Sequence, residues 1–196
     1  KKPPRVFIQA SAIGYYGSRG DETLDETSSI GEDFLADICQ AWEAEANPVK
    51  TAGLRLVTIR TGLVLDKKEG ALGRMLLPYR YFIGGPLGSG RQWYSWIHPQ
   101  DQVDAILYLL KTDSLSGVFN VTAPNPVPQE KFGRTLGNTL RRPHWLPVPA
   151  FALRLLLGEM SSLVLEGQKV LPTRLLEAGY TFRHPNLDGA LRELLQ

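Results

Sequence analysis

The chain has 196 residues, of which 43% are hydrophobic and 21% charged, so it can bury the core of an ordinary globular domain. Its 22 basic and 20 acidic residues give a formal net charge of +2, which does not indicate a nucleic-acid or membrane partner. The single cysteine, Cys39, excludes an internal disulfide and a cysteine-rich metal site, and its helical apolar surroundings predict a core position. Because no apolar run approaches the roughly 20 residues that cross a bilayer, we expect a cytoplasmic protein.

The first half of the chain predicts a strand, a helix and a second strand. Residues 6–10 are mostly apolar between a Pro-Pro pair and a Gly-rich turn, which is typical of a parallel strand buried on both faces. Residues 54–60 are rich in β-branched side chains and predict the second strand. Together they form a βαβ unit. The intervening helix should bury the apolar positions that recur at helical spacing: Phe34, Leu35, Ile38, Trp42 and Ala46.

Helices and loops alternate in the middle of the chain. A helix past Gly70 should be interrupted at Pro78, and the Gly/Pro-rich residues 83–90 indicate a loop. A helix should begin near Asp101, a strand should cover residues 117–122, and another helix should follow Pro128. The expected buried positions of these helices are Leu72, Met75, Leu76 and Tyr79, then Val103, Ile106, Leu107 and Leu110, then Phe132, Leu136 and Leu140.

The composition shifts after residue 139. Prolines then punctuate Leu-rich helical segments, so residues 140–196 are interpreted as a small helical C-terminal domain. The predicted fold class is therefore α/β, with the C-terminal part of a doubly wound parallel sheet in residues 1–139 and a small, mostly helical C-terminal module.

Polar side chains directly follow the first strand, where parallel strands open into a ligand crevice. Ser11, Tyr15 and Tyr16 lie in this segment. A serine hydroxyl beside a phenol can position and polarise a carbonyl or alcohol during hydride transfer. The alternative is an ordinary turn whose tyrosines pack at the rim.

Residues 70–100 contain no Asp or Glu but include Arg74, Arg80, Arg91 and His98. This pattern suits an anionic ligand, because guanidinium groups chelate phosphate. Alternatively, the arginines are solvated surface groups. The nearby Trp96 could stack on a ligand ring or pack the loop onto the sheet.

His98 and Asp101 favour a structural role. Asp101 is a suitable N-cap for an apolar helix, and His98 can hydrogen-bond the loop before it. One histidine and one aspartate make neither a catalytic triad nor a metal site, so no metal is predicted.

The strings SAIGYYG, RTGLVL, GGPLGSGRQWYSWIH and the Leu-rich C-terminal segment resemble a known family. It is the sugar-nucleotide-epimerase-like branch, often called epimerase family proteins, of the extended short-chain dehydrogenase/reductase superfamily. The resemblance implies a Rossmann-type fold that binds NADP or NAD, with NADP favoured. It also implies the following roles: catalytic Ser11 and Tyr16; cofactor-binding Ala10, Ser11, Arg60, Thr61 and Gly62; substrate-binding Tyr15, Arg91, Trp96 and His98.

Two features depart from the superfamily pattern. No Gly-rich strand-to-helix fingerprint for pyrophosphate is found, because the glycines between Gly84 and Gly90 do not open a helix. We therefore expect the N-terminal half of the Rossmann-like domain to be absent from this chain. That half, or another chain, would complete the sheet, since an open strand edge invites pairing.

The usual Tyr-x-x-x-Lys pair is also missing. At its expected place the first helix offers Phe34 with Ile38, or Leu35 with Cys39, and neither pair transfers a proton. The position of the family's catalytic serine falls on Ser11 or Ala12, depending on the alignment. Two hypotheses follow. The first is an NAD(P)-dependent epimerase or oxidoreductase for a small substrate, with phosphorylated and nucleotide-linked compounds as candidates; the second is a non-catalytic cofactor-sensing or interaction protein.

Overall fold

The computed structural model describes residues 4–68 and 70–196. Its strands are β1 (Val6–Ala12), β2 (Thr23–Leu24), β3 (Arg55–Thr61), β4 (Leu63–Val64), β5 (Trp93–Tyr94), β6 (Trp96–Ile97), β7 (Gly117–Val121), β8 (Val127–Pro128) and β9 (Lys169–Val170). Its α-helices are α1 (Phe34–Glu45), α2 (Asn47–Thr51), α3 (Gly70–Arg80), α4 (Pro99–Lys111), α5 (Gln129–Leu140), α6 (Ala150–Leu157), α7 (Ser162–Leu165), α8 (Thr173–Glu177) and α9 (Leu187–Leu195).

Three parallel strands form the central sheet in the order β1-β3-β7. Helix α1 connects β1 to β3, and helices α3 and α4 lie between β3 and β7 along the chain. Long parallel neighbours joined through helices are the mark of an α/β fold. The predicted fold class and all three predicted long strands are confirmed.

The prediction that the first strand is buried on both faces is wrong for the described chain. Strand β1 lies at the edge of the sheet, and its Phe7 side chain is 42% exposed. Strand β3 lies in the middle, where Leu56 through Arg60 are all buried. The difference arises because only β3 has a partner strand on each side among the described residues.

Helix α1 forms over the predicted residues but buries a different face. Its buried positions are Ala36 and Cys39, which confirms the core position of the cysteine. Phe34 and Trp42, which were expected inside, are 75% and 52% exposed. The buried side of α1 lies against the short 3-10 helix of residues 13–16 and against strand β1, whereas Phe34 and Trp42 stay largely exposed.

The next two long helices also differ in detail from the sequence expectation. Helix α3 continues through Pro78 to Arg80, so the proline does not interrupt it. Helix α4 begins at Pro99 and is capped by His98, whose Nδ1 accepts the backbone N–H of Gln100 at 3.1 Å. Asp101 is therefore not the N-cap. The predicted apolar face is likewise shifted, because α4 buries Ala105 and Leu109 while Val103, Leu107 and Leu110 are exposed.

The C-terminal residues are mostly helical, as predicted, and pack onto the rest of the chain. Leu187 and Leu191 of α9 share a core cluster with Phe132 and Leu136 of α5. The segment also contributes a strand that the sequence did not predict, since β9 pairs with β2 in parallel. The domain boundary near residue 140 stays a prediction. Within the described residues, every helix is too short or too polar to span a bilayer.

Candidate functional site

A polar cluster lies where β1 and β3 end side by side. Ser11 and Arg60 are partners in the β1–β3 register and both are buried. The Ser11 hydroxyl donates to Glu43 Oε1 at 2.7 Å. Arg60 donates from Nε and Nη2 to the two Glu43 carboxylate oxygens, each at 2.8 Å. Helix α1 thus reaches the strand ends through Glu43, one turn beyond Cys39.

Tyr16 extends this network toward the third strand. Its ring is fully buried, and its hydroxyl donates to Asn120 Oδ1 at 2.7 Å while accepting from Arg60 Nη1 at 3.0 Å. The Tyr15 ring lies under the same guanidinium, 3.3 Å from ring centroid to Cζ. Arg60 is therefore held by hydrogen bonds to the Glu43 carboxylate and the Tyr16 phenol and by a cation–π contact with the Tyr15 ring.

Burial decides the protonation chemistry of this cluster. Burial of the phenol raises the pKa of Tyr16 to about 12, although the Arg60 guanidinium works in the opposite direction. Burial alone would lower the pKa of Arg60, but the hydrogen bonds to Glu43 and Tyr16 raise it. Burial also raises the pKa of the Cys39 thiol. At neutral pH the cluster is a neutral phenol beside a closed Arg60–Glu43 ion pair.

The cluster is better suited to holding side chains in position than to acid/base catalysis. A proton donor in acid/base catalysis works best when its pKa is near the working pH and when its proton can reach substrate. The Tyr16 hydroxyl meets neither condition in the described chain, because it is enclosed and already donates to Asn120. The catalytic roles of Ser11 and Tyr16 stay predictions, and Ser11, rather than Ala12, faces α1 through its bond to Glu43.

The other residues predicted at the cofactor lie at the same strand ends. Ala10 is exposed on β1 and Thr61 is half-buried at the end of β3. Gly62 is there for a packing reason, since a Cβ at this position would lie 2.2 Å from the Ser95 carbonyl oxygen. Gln102 of α4 donates to Thr61 Oγ1 at 3.3 Å, and its own Oε1 is buried without a hydrogen-bond partner among the described residues.

The residues predicted for substrate differ in their burial and in their hydrogen bonds. Trp96 is fully buried, and its Nε1 donates to the Asn125 carbonyl, so its ring packs in the core and cannot stack on a ligand. His98 is buried with Nδ1 on Gln100 and Nε2 against Glu193 at 2.7 Å, which supports its structural role. Arg91 is exposed in its loop, and Arg74 and Arg80 are exposed on helix α3.

An open cleft of about 720 Å³ lies beside the turn after Tyr16. Its lining includes Tyr16, Gly17 and Arg19, together with the acidic residues Glu32, Asp33 and Glu166. The Arg19 guanidinium already donates to the backbone carbonyls of Ser29 and Ile30. The cleft is polar, and its charges are mainly acidic.

Sequence reasoning missed three polar residues of the site. Glu43 and Asn120 were not singled out, and neither was Glu26, which accepts the backbone N–H groups of Asn120 and Arg174. Burial raises the pKa of Glu26. One signal was present: Glu43 lies four residues after Cys39, so it shares the helix face that packs on the strands.

A parallel sheet with connecting helices and a polar cluster at its strand ends defines a Rossmann-type α/β protein. Residues 148–194 match a family described as a domain of unknown function (DUF1731). The whole chain is 44% identical to epimerase family protein YfhF of Bacillus subtilis and spans 64% of its length. Over 98% of the chain it is 48% identical to the chloroplastic SDR39U1 homolog of Arabidopsis thaliana, spanning 55% of that protein.

The comparison with a solved structure agrees. The crystal structure of human epimerase family protein SDR39U1 with NADPH superimposes with a TM-score of 0.93 at 35% identity, covering 98% of this chain and 65% of the human one. Over nearly its whole length the chain is therefore similar to proteins named epimerase family proteins. It spans a little over half to two thirds of the length of these relatives.

Proposed function

We propose that the chain is the substrate-facing part of an NAD(P)-binding epimerase- or oxidoreductase-like protein that acts on a small substrate. Phosphorylated and nucleotide-linked compounds are the candidate substrates. The observation that carries this proposal is the human relative, whose structure was determined with NADPH and whose fold matches nearly all of this chain. The same observation favours NADP over NAD.

The strand ends fit one end of such a cofactor. Ala10 is exposed and Thr61 is half-buried. Gln102 Oε1, which has no hydrogen-bond partner in the described part of the chain, is an acceptor for a donor such as an amide. A bound nicotinamide cofactor would supply hydride transfer. The pyrophosphate would need residues outside this chain, because the sequence offers no Gly-rich strand-to-helix turn.

The residues of this chain then have distinct tasks. Glu43 and Arg60 orient the Ser11 hydroxyl at the end of β1. Tyr15 packs on the guanidinium at the rim of the same cluster. Arg91 is exposed and available to an anionic group, whereas the cleft beside Gly17 would repel one because it is lined by Glu32 and Glu166.

A second candidate function is cofactor sensing without turnover. The enclosed Tyr16 phenol favours it, because burial raises its pKa to about 12 and its proton is donated to Asn120. The absence of Tyr-x-x-x-Lys from α1 points the same way. Cofactor turnover on a broad substrate panel that is abolished in Ser11→Ala would count against this reading.

We also propose that another polypeptide segment completes the sheet along β1. The edge position of β1 and the exposed Phe7, Phe34 and Trp42 support this. The segment would be an N-terminal half or a second chain. A stable, monodisperse monomer of the 196 residues in light scattering would contradict this proposal.

The cofactor proposal is tested by titrating NADPH and NADH separately into the intact protein, followed by calorimetry. Saturable binding is expected, tighter for NADPH than for NADH. No heat and no fluorescence change with either nucleotide would overturn it. Gln102→Ala should weaken binding, while Gln100→Ala, exposed on the same helix, is the matched control.

A cytoplasmic location is proposed from the sequence alone. The Arabidopsis relative is named chloroplastic, so an organelle is the alternative location that a test must distinguish. Cell fractionation with an antibody to the protein tests the proposal, and enrichment in a membrane or organelle fraction would contradict it.

A further inference from the structure

Two histidines and a glutamate converge outside the Ser11–Arg60–Glu43–Tyr16 cluster. His98 precedes α4, His184 lies in the loop before α9, and Glu193 is on α9. One nitrogen of each imidazole and one Glu193 oxygen all lie within 4.8 Å of one another. The three residues come from segments up to 95 positions apart, so the fold, rather than local sequence, brings them together.

The surrounding structure anchors two of the three groups. Asp101 is fully buried, and its carboxylate oxygens accept the backbone N–H groups of Arg183 and His184 at 2.7 and 2.9 Å. This fixes the loop that presents His184, whose ring stacks on the His98 ring at 3.9 Å between centroids. Glu193 is exposed, so the cluster is open to solvent on one side.

We propose that His98, His184 and Glu193 bind a divalent transition-metal ion of the zinc class. Two imidazoles and one carboxylate are a ligand set that Zn²⁺ takes in proteins, with a water in the fourth position. The solvent-exposed side at Glu193 leaves room for that water. The ion would join the start of α4, the loop at His184 and helix α9, and this role is independent of the cofactor proposal.

In the metal-free state a proton occupies the place of the ion. His98 Nδ1 accepts from Gln100 N–H, so Nε2 carries the imidazole proton and donates it to Glu193 Oε2 at 2.7 Å. Zinc would replace this shared proton. The imidazole proton would move to Nδ1, and the bond from Gln100 would be lost.

The stacking of the His98 and His184 rings limits the expected affinity for zinc. The two rings are 26° from parallel, so the half-buried His184 must turn before its nitrogen points at the ion. Exposed Glu193 can follow this movement. Because ring rotation and the loss of the Gln100 bond both cost free energy, binding should be weaker than at a preformed structural zinc site.

Zinc titration of the intact protein, by calorimetry and by equilibrium dialysis, tests the site. We expect one saturable Zn²⁺ per chain, and a rise in melting temperature with zinc. His184→Phe keeps the ring stacking and the backbone bond to Asp101 but removes the ligand nitrogen. Glu193→Gln keeps an acceptor for His98 but removes the charge. Each variant should weaken binding about tenfold or more.

Two control variants separate this site from others. Asp188→Asn removes an exposed carboxylate from the same helix and should leave zinc binding unchanged. Glu130→Gln removes the carboxylate beside His144. The proposal is overturned if zinc does not bind, if His184→Phe and Glu193→Gln bind as tightly as the parent, or if Glu130→Gln alone abolishes binding. Circular dichroism of each variant confirms that the fold is retained, and if His184→Phe does not fold, Glu193→Gln decides.

Discussion

Strands β1 and β3 have similar apolar sequences but different surroundings. Five consecutive residues of β3 are buried, whereas Phe7 of β1 is largely exposed. The difference is one neighbour: β3 lies between two strands, and β1 lies at the edge. An apolar strand sequence predicts that other elements cover the strand. Those covering elements can include residues outside the described chain.

The two sides of helix α1 show the same contrast between buried and exposed surroundings. Helix α1 buries Ala36 and Cys39 against the strands but exposes Phe34 and Trp42. The buried side carries the Glu43–Arg60 ion pair, and the exposed side carries large apolar groups. The molecule thus has a closed polar interior at β3 and an open apolar surface near β1.

Glu43→Ala should have the largest effect on the closed side. It leaves the Arg60 guanidinium, with 4% of its side chain exposed, without its carboxylate. Removing one partner of a buried ion pair costs about 3–5 kcal/mol of unfolding free energy. Urea unfolding measures this loss. Glu45→Ala, exposed on the same helix, is the control, and equal stability of the two variants would contradict the account.

Gly62→Ala should cause the next largest loss of unfolding free energy. The added Cβ would meet the Ser95 carbonyl oxygen at 2.2 Å, so backbone must move, at a cost of about 3 kcal/mol. Gly189→Ala in α9 is the matched control, because nothing lies within 4 Å of its Cβ position. That control should instead gain about 0.5–1 kcal/mol from lower chain entropy. Thermal unfolding of both variants tests the pair.

The pH dependence of stability sharpens the view of Tyr16. Its pKa is about 12 in the folded chain against 10.0 for a free phenol, so its contribution is complete below pH 10 and is lost as pH rises toward 12. The two-unit difference amounts to roughly 3 kcal/mol. Tyr16→Phe should therefore lose less stability than the parent between pH 10 and 12. Identical slopes in alkaline urea titrations would show that this phenol ionises normally.

Trp42→Ser should have the smallest effect on folding and a visible effect on association. Trp42 is 52% exposed, so its replacement should lower the unfolding free energy by only about 1 kcal/mol. If the apolar side of α1 is an interface, the variant should associate less. Light scattering across a concentration series measures this, with exposed Gln40→Ser on the same helix as the control.

The sequence was sufficient for the framework of the fold. Periodicity placed the three long strands and helices α1, α3, α4 and α5, because strand and helix repeats are visible in any buried segment. It failed where burial depends on partners. Phe34 and Trp42 look like core positions, but the structure leaves both side chains more than half exposed. The short strand β9 carries too few residues to leave a periodic signal.

For the site, the sequence located the strand ends but missed most of the interactions there. Ser11 follows the first predicted strand and Arg60 is the last residue of the second, so their proximity could be anticipated. The pairing of Arg60 with Glu43 and of Tyr16 with Asn120 depends on how α1 and β7 pack, which local patterns do not encode. Trp96 illustrates the reverse error, because an aromatic residue beside a loop suits a core and a ligand pocket equally.

Amide hydrogen exchange along β1 tests the central claim most directly. It compares the 196-residue chain with the protein extended to the length of its relatives. The account predicts that the outward-facing amides of β1 exchange rapidly in the chain alone and slowly in the longer protein, while β3 is protected in both. Rapid exchange along β1 in the longer protein as well would contradict the claim that another segment completes the sheet there.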